Sequence, residues 1–317
     1  MTFSGQVKNE LSLHMSSARH CQIAEIAAIV TMCGGICISQ ADKAALKIHT
    51  ENRYVARKYS SLLHRAFHMP VETGVRVRCG KTTYYVGVSS HENTLRVLQA
   101  IRMVGPDGDL YSLMNPEKQL LLQKSCCKKA YLRGAFLVGG SISDPQKFYH
   151  LEIVCADRER AEGLQELMNS AFALDARIVE RKGHFVVYMK DGTRIVSALG
   201  IMEASRSLME LENIRILHEI NNDVNRKVNC ETANISKTVS AAVRQIQDIE
   251  YIRDHVGLHR LPPQLEEIAL LRLEHPDTSL QDLGRLLDPP LGKSGTNHRL
   301  KKISEMARQL GLERPEG

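Results

Sequence analysis

The stretch that decides the fold lies at residues 127–143 and reads CKKAYLRGAFLVGGSIS. Its apolar run has the spacing of a buried helix, and the pair Gly139-Gly140 ends that run before a short strand. Residues 22–38 repeat the pattern, with Gly34-Gly35 at the turn. We expect each glycine pair to end its helix in a left-handed conformation, because glycine adopts positive φ without a steric penalty.

Small side chains on the two runs predict that the helices pack closely against each other. Ala27 and Ala28 lie in the first run, and Gly134 and Ala135 lie in the second. Helix axes approach most closely where the side chains at the contact are small. The two runs are therefore expected to form one central helix pair.

The segments that follow each run are repeated as well. Each turn leads into an alternating strand, an amphipathic helix, two strands joined at Gly80-Lys81 or Lys182-Gly183, and a closing helix. Matching Gly34 to Gly140 gives an offset of 106 residues. This predicts an internal duplication with α+β architecture, in which helices cover one face of each antiparallel sheet and the other face is free.

Changes in pattern divide the chain into segments. They are an N-terminal arm at 1–20, a first repeat at 21–104, a second repeat at 105–202, a helical linker at 203–256 and an all-α helix-turn-helix domain at 257–317. Within the linker we expect two helices, Glu203 to Asn225 and Glu231 to His255. Gly257 and Pro262-Pro263 mark the start of the last domain.

The last domain has a charge distribution that favours DNA binding. Its expected helices are Gln264 to Glu274, Ser279 to Leu287 and Ser294 to Leu310. Residues 262–288 contain six acidic and two basic side chains, whereas residues 293–308 contain five basic side chains and one acidic. The third helix therefore suits the major groove. The alternative is a solvated basic face on an ordinary three-helix bundle.

The candidate DNA-binding residues of the third helix fall into three groups. They are Asn297, His298 and Arg299 for base edges, Lys293, Lys301 and Lys302 for phosphates, and Ser294 at the helix start as an additional anion site.

A second basic region lies between residues 43 and 81, where nine basic side chains stand against two acidic ones. Arg76 and Arg78 alternate with Val75 and Val77, so the two arginines are expected on one face of a strand. This concentration of basic side chains supports DNA binding. The alternative is that the charges are spread over helix exteriors.

The sequence from Leu132 to Ile142 resembles the LAGLIDADG helix of homing endonucleases, and residues 26–36 are similar. In that family each such helix ends in an acidic residue that holds the divalent metal for strand cleavage. The resemblance places these acids at Cys33 and Gly139. A glycine has no ligand side chain, and a lone thiol is too soft for magnesium. The resemblance therefore implies a retained fold without the metal chemistry. It also implies that the sheet face carrying Arg76 and Arg78 is the DNA side of a saddle.

Three further stretches carry a second resemblance. The first is the N-terminal segment Thr2 to Leu11. The second lies in the helical linker and contains Asn225-Arg226, Asn229 to Asn234, Ala241-Ala242 and Gln245. The third lies in the helix-turn-helix domain and contains Leu280, Leu283, Gly292 to Gly295, Asn297 and Arg299-Leu300. Together with the duplicated domain they resemble the WhiA family of Gram-positive bacteria. The resemblance implies a sequence-specific transcriptional regulator of cell division, chromosome segregation or sporulation, without nuclease activity.

The sequence contains no motif that indicates a catalytic or cofactor site. The eight cysteines include no C-x-x-C pair, and the chain has no P-loop, dinucleotide or G-x-S-x-G motif, so we expect no cofactor and no metal. The longest uncharged apolar stretch, Ile26 to Ile38, is too short to span a bilayer. We therefore expect a cytoplasmic, nucleoid-associated protein.

The expected partners are double-stranded DNA at promoter sites and another transcription or division protein, with no membrane contact. Two alternatives stay open at this point. One is an active or nicking LAGLIDADG homing endonuclease. In the other, the saddle docks a protein and DNA contact is confined to residues beyond about Gly257.

Overall fold

The computed structural model describes residues 2–38, 44–78, 80–105 and 120–311. The chain forms two compact units, Met1–His218 and Glu219–Gly317, which are described separately. Within the described ranges, no helix combines the length and apolar character needed to cross a membrane.

The first unit contains the two repeats. It begins with α1 (Phe3–Leu13). The first repeat comprises α2 (Arg19–Cys33), β1 (Gly34–Ile38), β2 (Ala44–Thr50), α3 (Arg53–Phe67), β3 (Glu72–Arg78), β4 (Lys81–Val88) and α4 (His91–Ala100). The second comprises α5 (Ser125–Gly139), β5 (Gly140–Ile142), β6 (Leu151–Cys155), α6 (Arg158–Phe172), β7 (Arg177–Arg181), β8 (His184–Met189) and α7 (Gly192–Met202). The predicted order of elements is confirmed in both copies, and α2 and α5 begin and end 106 residues apart.

Each repeat forms one four-stranded antiparallel sheet. The strand orders are β1-β2-β4-β3 and β5-β6-β8-β7. In the first sheet, Ile48 and its partner Val86 are buried under the helices, while in the second Ile153 and Val187 occupy the same place. The predicted α+β class, with helices on one face of each sheet, is confirmed.

Helices α2 and α5 pack against each other at the centre of the unit, as the small residues predict. A Cβ atom built on Gly134 would lie 2.8 Å from the backbone oxygen of Glu25 and 2.9 Å from Cβ of Ala28. Real side chains do not approach so closely, so the helix axes can keep this separation only with glycine at residue 134.

The conformation predicted for the second glycine pair is wrong. Gly140 has φ −80° and ψ 150°, which is extended rather than left-handed. The pair serves close packing instead. A Cβ atom on Gly139 would lie 2.4 Å from the carbonyl oxygen of Val154, and one on Gly140 would lie 2.2 Å from the Phe136 ring.

The segment expected to be an N-terminal arm is part of the folded unit. Phe3, Val7 and Leu11 on one side of α1 are buried in the core of the repeats. The Glu10 carboxylate accepts hydrogen bonds from the backbone N–H groups of Arg206 and Ser207 at 2.8 and 3.0 Å. This contact caps the helix that begins at Ser205, because a carboxylate satisfies the free N–H groups of a helix start.

That helix, α8 (Ser205–His255), crosses the boundary between the units. The two helices predicted for residues 203–256 are in fact one. Residues 226–230 contain polar side chains but neither glycine nor proline, so nothing breaks the helical backbone there.

The second unit is entirely helical. After α8 come a 3₁₀ turn (Leu258–Arg260), α9 (Pro263–Glu274), α10 (Leu280–Arg285) and α11 (Lys293–Gln309). Ile249 and Ile252 at the end of α8 pack into one core with Ile268 and Ile303. The helix-turn-helix module therefore includes residues before the boundary predicted at residue 257.

Candidate nucleic-acid interface

Helix α11 has a buried face and an outward face. Thr296, Leu300, Ile303 and Ala307 are buried, at the spacing of a single helix face. The exposed side chains of α11 are Lys293, Ser294, His298, Lys301, Lys302, Glu305, Arg308 and Gln309, of which one is acidic and four are basic. The apolar face is thus used for folding, and the polar and basic face is left for a ligand.

The turn before α11 depends on Gly284. A Cβ atom at this position would lie 2.3 Å from the Leu291 carbonyl oxygen and 2.4 Å from the Thr296 hydroxyl. The N–H group of Leu291 donates to the Gly284 carbonyl at 2.8 Å. Glycine therefore allows the turn to fold back onto α10 and fixes where α11 begins.

The start of α11 has the properties of an anion site. Its N-cap residue, Gly292, has no side chain to accept a hydrogen bond from the first turn. Lys293 and Ser294, which follow it, are exposed. Backbone N–H groups at a helix start attract anions, and phosphate oxygens of DNA are suitable acceptors.

Arg299 lies apart from the outward side chains. Its Nη1 donates to the carbonyl oxygen of Gln264 at 3.4 Å and lies 4.0 Å from Oε2 of Glu267. Only 16% of its side chain is exposed. The structure thus brings Ser294, His298, Lys301 and Lys302 together, leaves Asn297 half-buried beside them, and places the Arg299 guanidinium along α9.

A buried arginine that sequence reasoning missed holds the module together. Arg272 donates through Nε and Nη2 to Oε1 of Gln245 at 3.1 and 2.9 Å, and through Nη1 to the Thr278 carbonyl at 2.6 Å. Burial lowers the pKa of Arg272. The contacts tie α8, the end of α9 and the start of α10 into one body. Gln245 is one of the linker residues that carry the WhiA resemblance, but its partner Arg272 lies 27 residues away, so no local pattern connects the two.

In the first unit, Arg76 and Arg78 lie on the sheet face opposite the helices. Directly paired residues of antiparallel strands share a face, and Arg76 pairs with Thr83 whereas Val75 pairs with the core-facing Tyr84. The side chains on the free face are Lys47, His49, Glu72, Arg76, Arg78, Lys81, Thr83 and Tyr85. Four are basic and one is acidic, so this surface, the β3–β4 face, is positively charged.

Two glycines shape the β3–β4 face. A Cβ atom on Gly74 would lie 2.0 Å from the Tyr85 ring, and one on Gly87 would lie 2.8 Å from Cγ of Lys47. The Tyr85 ring and the Lys47 stem can therefore lie flat across the sheet. The basic side chains of this face are of the kind that contact DNA phosphates.

The corresponding face of the second sheet is less positive. Glu152 there accepts from Ser141 at 3.1 Å and lies 3.2 Å from Nε2 of His150 and 3.8 Å from Nη1 of Arg181. The carboxylate offsets the neighbouring positive charge. The two repeats share a fold but present different electrostatic surfaces.

The positions expected to have lost the metal-binding acids are the last residues of the paired helices. Cys33 ends α2 and Gly139 ends α5. Burial raises the pKa of the Cys33 thiol to about 11, so this group is uncharged at neutral pH. At Gly139 the carbonyl of Val154 occupies the space that a Cβ atom would need. Neither position presents a hard oxygen ligand.

A buried ion cluster joins the paired helices to α3. Nζ of Lys58 and Nε of Arg133 lie 3.0 and 3.1 Å from Oε1 of Glu25, and all three side chains are almost fully buried. Burial lowers the pKa of Lys58. Sequence reasoning missed this cluster, because its members lie on three helices and no local pattern connects them.

Three family models match the chain in order. The WhiA N-terminal LAGLIDADG-like domain matches residues 19–102, the WhiA LAGLIDADG-like domain matches 128–221 and the WhiA C-terminal HTH domain matches 224–307. The chain belongs to the WhiA family.

Relatives of similar length support the assignment to WhiA. The probable cell division protein WhiA of Alkaliphilus oremlandii is 48% identical over 98% of this chain and 98% of its own length. That of Lachnoclostridium phytofermentans is 47% identical over 97% and 98%. The crystal structure of full-length DUF199/WhiA from Thermatoga maritima is 26% identical, with a TM-score of 0.61, and the match covers 98% of this chain and 99% of that one. The predicted family and fold are confirmed.

Proposed function

We propose that this WhiA-family chain is a sequence-specific DNA-binding regulator that holds duplex DNA without cutting it. The outward face of α11 carries the proposal, because basic and polar side chains and an open helix start lie on one exposed surface. Recognition helices of this class place their first turns at base edges in the major groove.

The positions of the side chains suggest a division of roles on α11. Asn297 and His298 lie near the helix start and are proposed to contact base edges, whereas Ser294 is proposed as an additional anion site at the helix start. Lys293, Lys301 and Lys302 are proposed to contact phosphates, which contribute affinity without reading sequence. Arg299 is proposed to act mainly by positioning α11 against α9, since its guanidinium lies beside Gln264 and Glu267.

The β3–β4 face is proposed as a second phosphate contact. Arg76 and Arg78 are exposed there, Lys81 and Tyr85 lie on the neighbouring strand, and Lys47 lies on the same face level with Glu72. The rival use is docking of another transcription or division protein. Replacing both Arg76 and Arg78 by alanine in the full chain distinguishes the two: weaker DNA binding with a smaller salt dependence indicates phosphate contact, and unchanged DNA binding indicates a protein partner.

The absence of nuclease activity is proposed from Cys33 and Gly139. Magnesium needs hard oxygen ligands, whereas Cys33 offers a half-buried thiol and Gly139 has no side chain. The rival function is an active or nicking homing endonuclease, which would require metal ligands from other residues.

The proposed biological role is control of genes for cell division, chromosome segregation or sporulation from the cytoplasmic nucleoid. It is supported by the names of the relatives, which are probable cell division proteins. Genome-wide mapping of bound sites in cells tests it. Enrichment at promoters of such genes supports the role, and binding without preference for promoters contradicts it.

The DNA-binding proposal itself is tested by selecting bound fragments from genomic DNA with the full chain and measuring their affinity at several salt concentrations. The Lys301→Ala/Lys302→Ala variant is expected to reduce the salt slope by about two phosphate contacts. An equal substitution at Lys128 and Lys129 on α5 is the matched control. If both variants change the slope equally, α11 is not the DNA-binding element.

A further inference from the structure

A second cluster of reactive side chains lies at the opposite ends of the paired helices, where α2 and α5 begin. His20, Cys21, Cys126 and Cys127 bring one nitrogen and three sulfur atoms within 4.8 Å of one another. Nδ1 of His20 lies 3.2 Å from Sγ of Cys127 and 3.3 Å from Sγ of Cys21. In the described part of the chain, no other group of three or more such side chains gathers its ligand atoms this closely.

The internal duplication explains why these four residues meet. The offset of 106 residues that aligns the repeats places His20 opposite Cys126 and Cys21 opposite Cys127. All four lie in the first turn of a motif helix. Each repeat therefore delivers two ligands from the same two positions, and the pairing of α2 with α5 brings them to one point.

We propose that His20, Cys21, Cys126 and Cys127 form a structural site for a thiolate-preferring divalent metal, with Zn²⁺ as the best fit. Zinc binds three thiolates and one imidazole tetrahedrally, with Zn–S near 2.3 Å and Zn–N near 2.0 Å. Ligand atoms in such a tetrahedron lie about 3.5–3.8 Å apart. Because the four atoms are already within 4.8 Å, side-chain shifts of about 1 Å complete the geometry.

The electrostatics of the cluster favour a cation. Three sulfur atoms this close together would repel one another if the thiols were ionised without a counter-ion. A divalent ion replaces the thiol protons and removes that repulsion. The two helix starts, whose dipoles point their positive ends at the cluster, further stabilise thiolates.

Access and position agree with a structural role. A cleft of about 710 Å³ lined by His20, Cys21 and Cys126 opens beside the cluster and provides an entry path. Twelve residues of helix separate Cys21 from Cys33, or about 18 Å at 1.5 Å per residue. The site is therefore far from the helix ends where homing endonucleases hold their ion, and a bound metal would fasten the two repeats together.

The competing chemistry is a disulfide. A disulfide bonds only two of the sulfur atoms and does not involve the third thiol or the imidazole, whereas a tetrahedral metal ion coordinates all four groups. Magnesium and calcium are disfavoured because they prefer oxygen ligands.

The test is titration of the reduced, metal-free full chain with Co²⁺ under anaerobic conditions. We expect one Co²⁺ per chain to produce thiolate charge-transfer absorption and the intense visible bands of tetrahedral cobalt, and Zn²⁺ to abolish both. Zn²⁺ is also expected to raise the thermal midpoint of the full chain, because the metal binds only the folded state.

Variants localise the site. Cys126→Ser and His20→Asn are expected to lose the tetrahedral spectrum and to weaken Zn²⁺ binding by more than about tenfold. Cys230→Ser, at an exposed cysteine on α8, is the matched control and should leave binding unchanged. Circular dichroism verifies that Cys126→Ser, which replaces an exposed residue, remains folded.

Three results would overturn the proposal. One is the absence of a tetrahedral Co²⁺ spectrum in the reduced wild-type chain. Another is equal loss of binding in Cys230→Ser and Cys126→Ser. The third is a mass 2 Da below the reduced chain in protein purified without reductant, together with no Zn²⁺ binding after reduction, which would assign the cluster to a disulfide.

Discussion

At the scale of single residues, Cys33 and Gly139 decide what the ends of the paired helices can do. A carboxylate at either place could hold a hard divalent ion, but Cys33 presents a half-buried thiol and Gly139 presents backbone alone. The carbonyl of Val154 lies where a side chain of residue 139 would begin. An acid cannot be restored there without moving β6.

Cys33 is expected to react slowly with alkylating agents. Burial raises the pKa of its thiol to about 11, which lowers the thiolate fraction at pH 8 by about a hundredfold relative to an exposed cysteine. Mass spectrometry after timed iodoacetamide labelling of the native chain should find Cys230 modified long before Cys33. Similar labelling rates for both would contradict the burial of the thiol.

Gly134→Ala is expected to destabilise the chain, although alanine is the better helix former. The new Cβ atom would lie 2.8 Å from a backbone oxygen of α2, so the helix pair must separate at a cost of about 1–3 kcal/mol. Gly163→Ala on α6 is the matched control, because its Cβ atom meets nothing within 4 Å. Chemical unfolding should show a gain of up to about 1 kcal/mol for Gly163→Ala. Equal effects would contradict the close helix contact.

At the scale of elements, a buried ion cluster fixes the central helix pair. Arg133 on α5 lies 3.1 Å from Glu25 on α2, and its Nη2 donates to the Ser16 hydroxyl at 2.8 Å. A buried carboxylate that loses one of its partners is left with uncompensated charge. The geometry of the pair therefore depends on the complete cluster.

Arg133→Met is expected to cost about 3–5 kcal/mol of unfolding free energy, because Glu25 keeps only Lys58 as a buried counter-charge. The control is Arg158→Met, which removes an exposed ion pair with Glu162 and should cost less than about 1 kcal/mol. Denaturant unfolding of both variants measures the difference. A cost for Arg133→Met no larger than that of the control would show that the cluster does not stabilise the helix pair.

For α11 we expect His298→Ala and Lys302→Ala to act differently on DNA binding. His298 lies on the outward face near the helix start, so its loss should relax base preference by about 1–3 kcal/mol at one position. Loss of Lys302 should weaken all sequences alike and lower the salt slope by about one. Binding to a randomised DNA library measures both effects. Unchanged base preference in His298→Ala would remove this residue from the reading surface.

At the scale of the whole molecule, the sequence predicts those features that depend on local patterns. The helix-glycine-strand turns at residues 34 and 140, the tight turn at Lys182-Gly183 and the buried stripe of α11 all follow from short-range signals. The duplication then predicts two similar sheets, because the same order of strands and helices occurs in both repeats. Helix α8 is the exception, because the local pattern predicts two helices where the structure has one.

Contacts between distant segments could not be predicted in the same way. Glu25 meets Arg133 across 108 residues, and Arg299 meets Gln264 across 35. Such pairs are fixed by how helices pack, which no local pattern encodes. The cluster of His20, Cys21, Cys126 and Cys127 could have been predicted, because the repeat offset places the two pairs at equivalent positions. The C-x-x-C pattern does not detect it, because each repeat contributes only two of the four ligands.

As proposed above, this WhiA-family chain binds DNA through α11 and does not cut it, because the metal-binding acids are replaced at Cys33 and Gly139. The most direct measurement incubates saturating protein with supercoiled plasmid carrying a selected binding fragment, in Mg²⁺ or Mn²⁺, and examines retardation and strand integrity on parallel gels. We expect a fully retarded plasmid that remains supercoiled after the protein is removed. Nicked or linear plasmid produced by the wild-type chain would instead show that the chain cuts DNA.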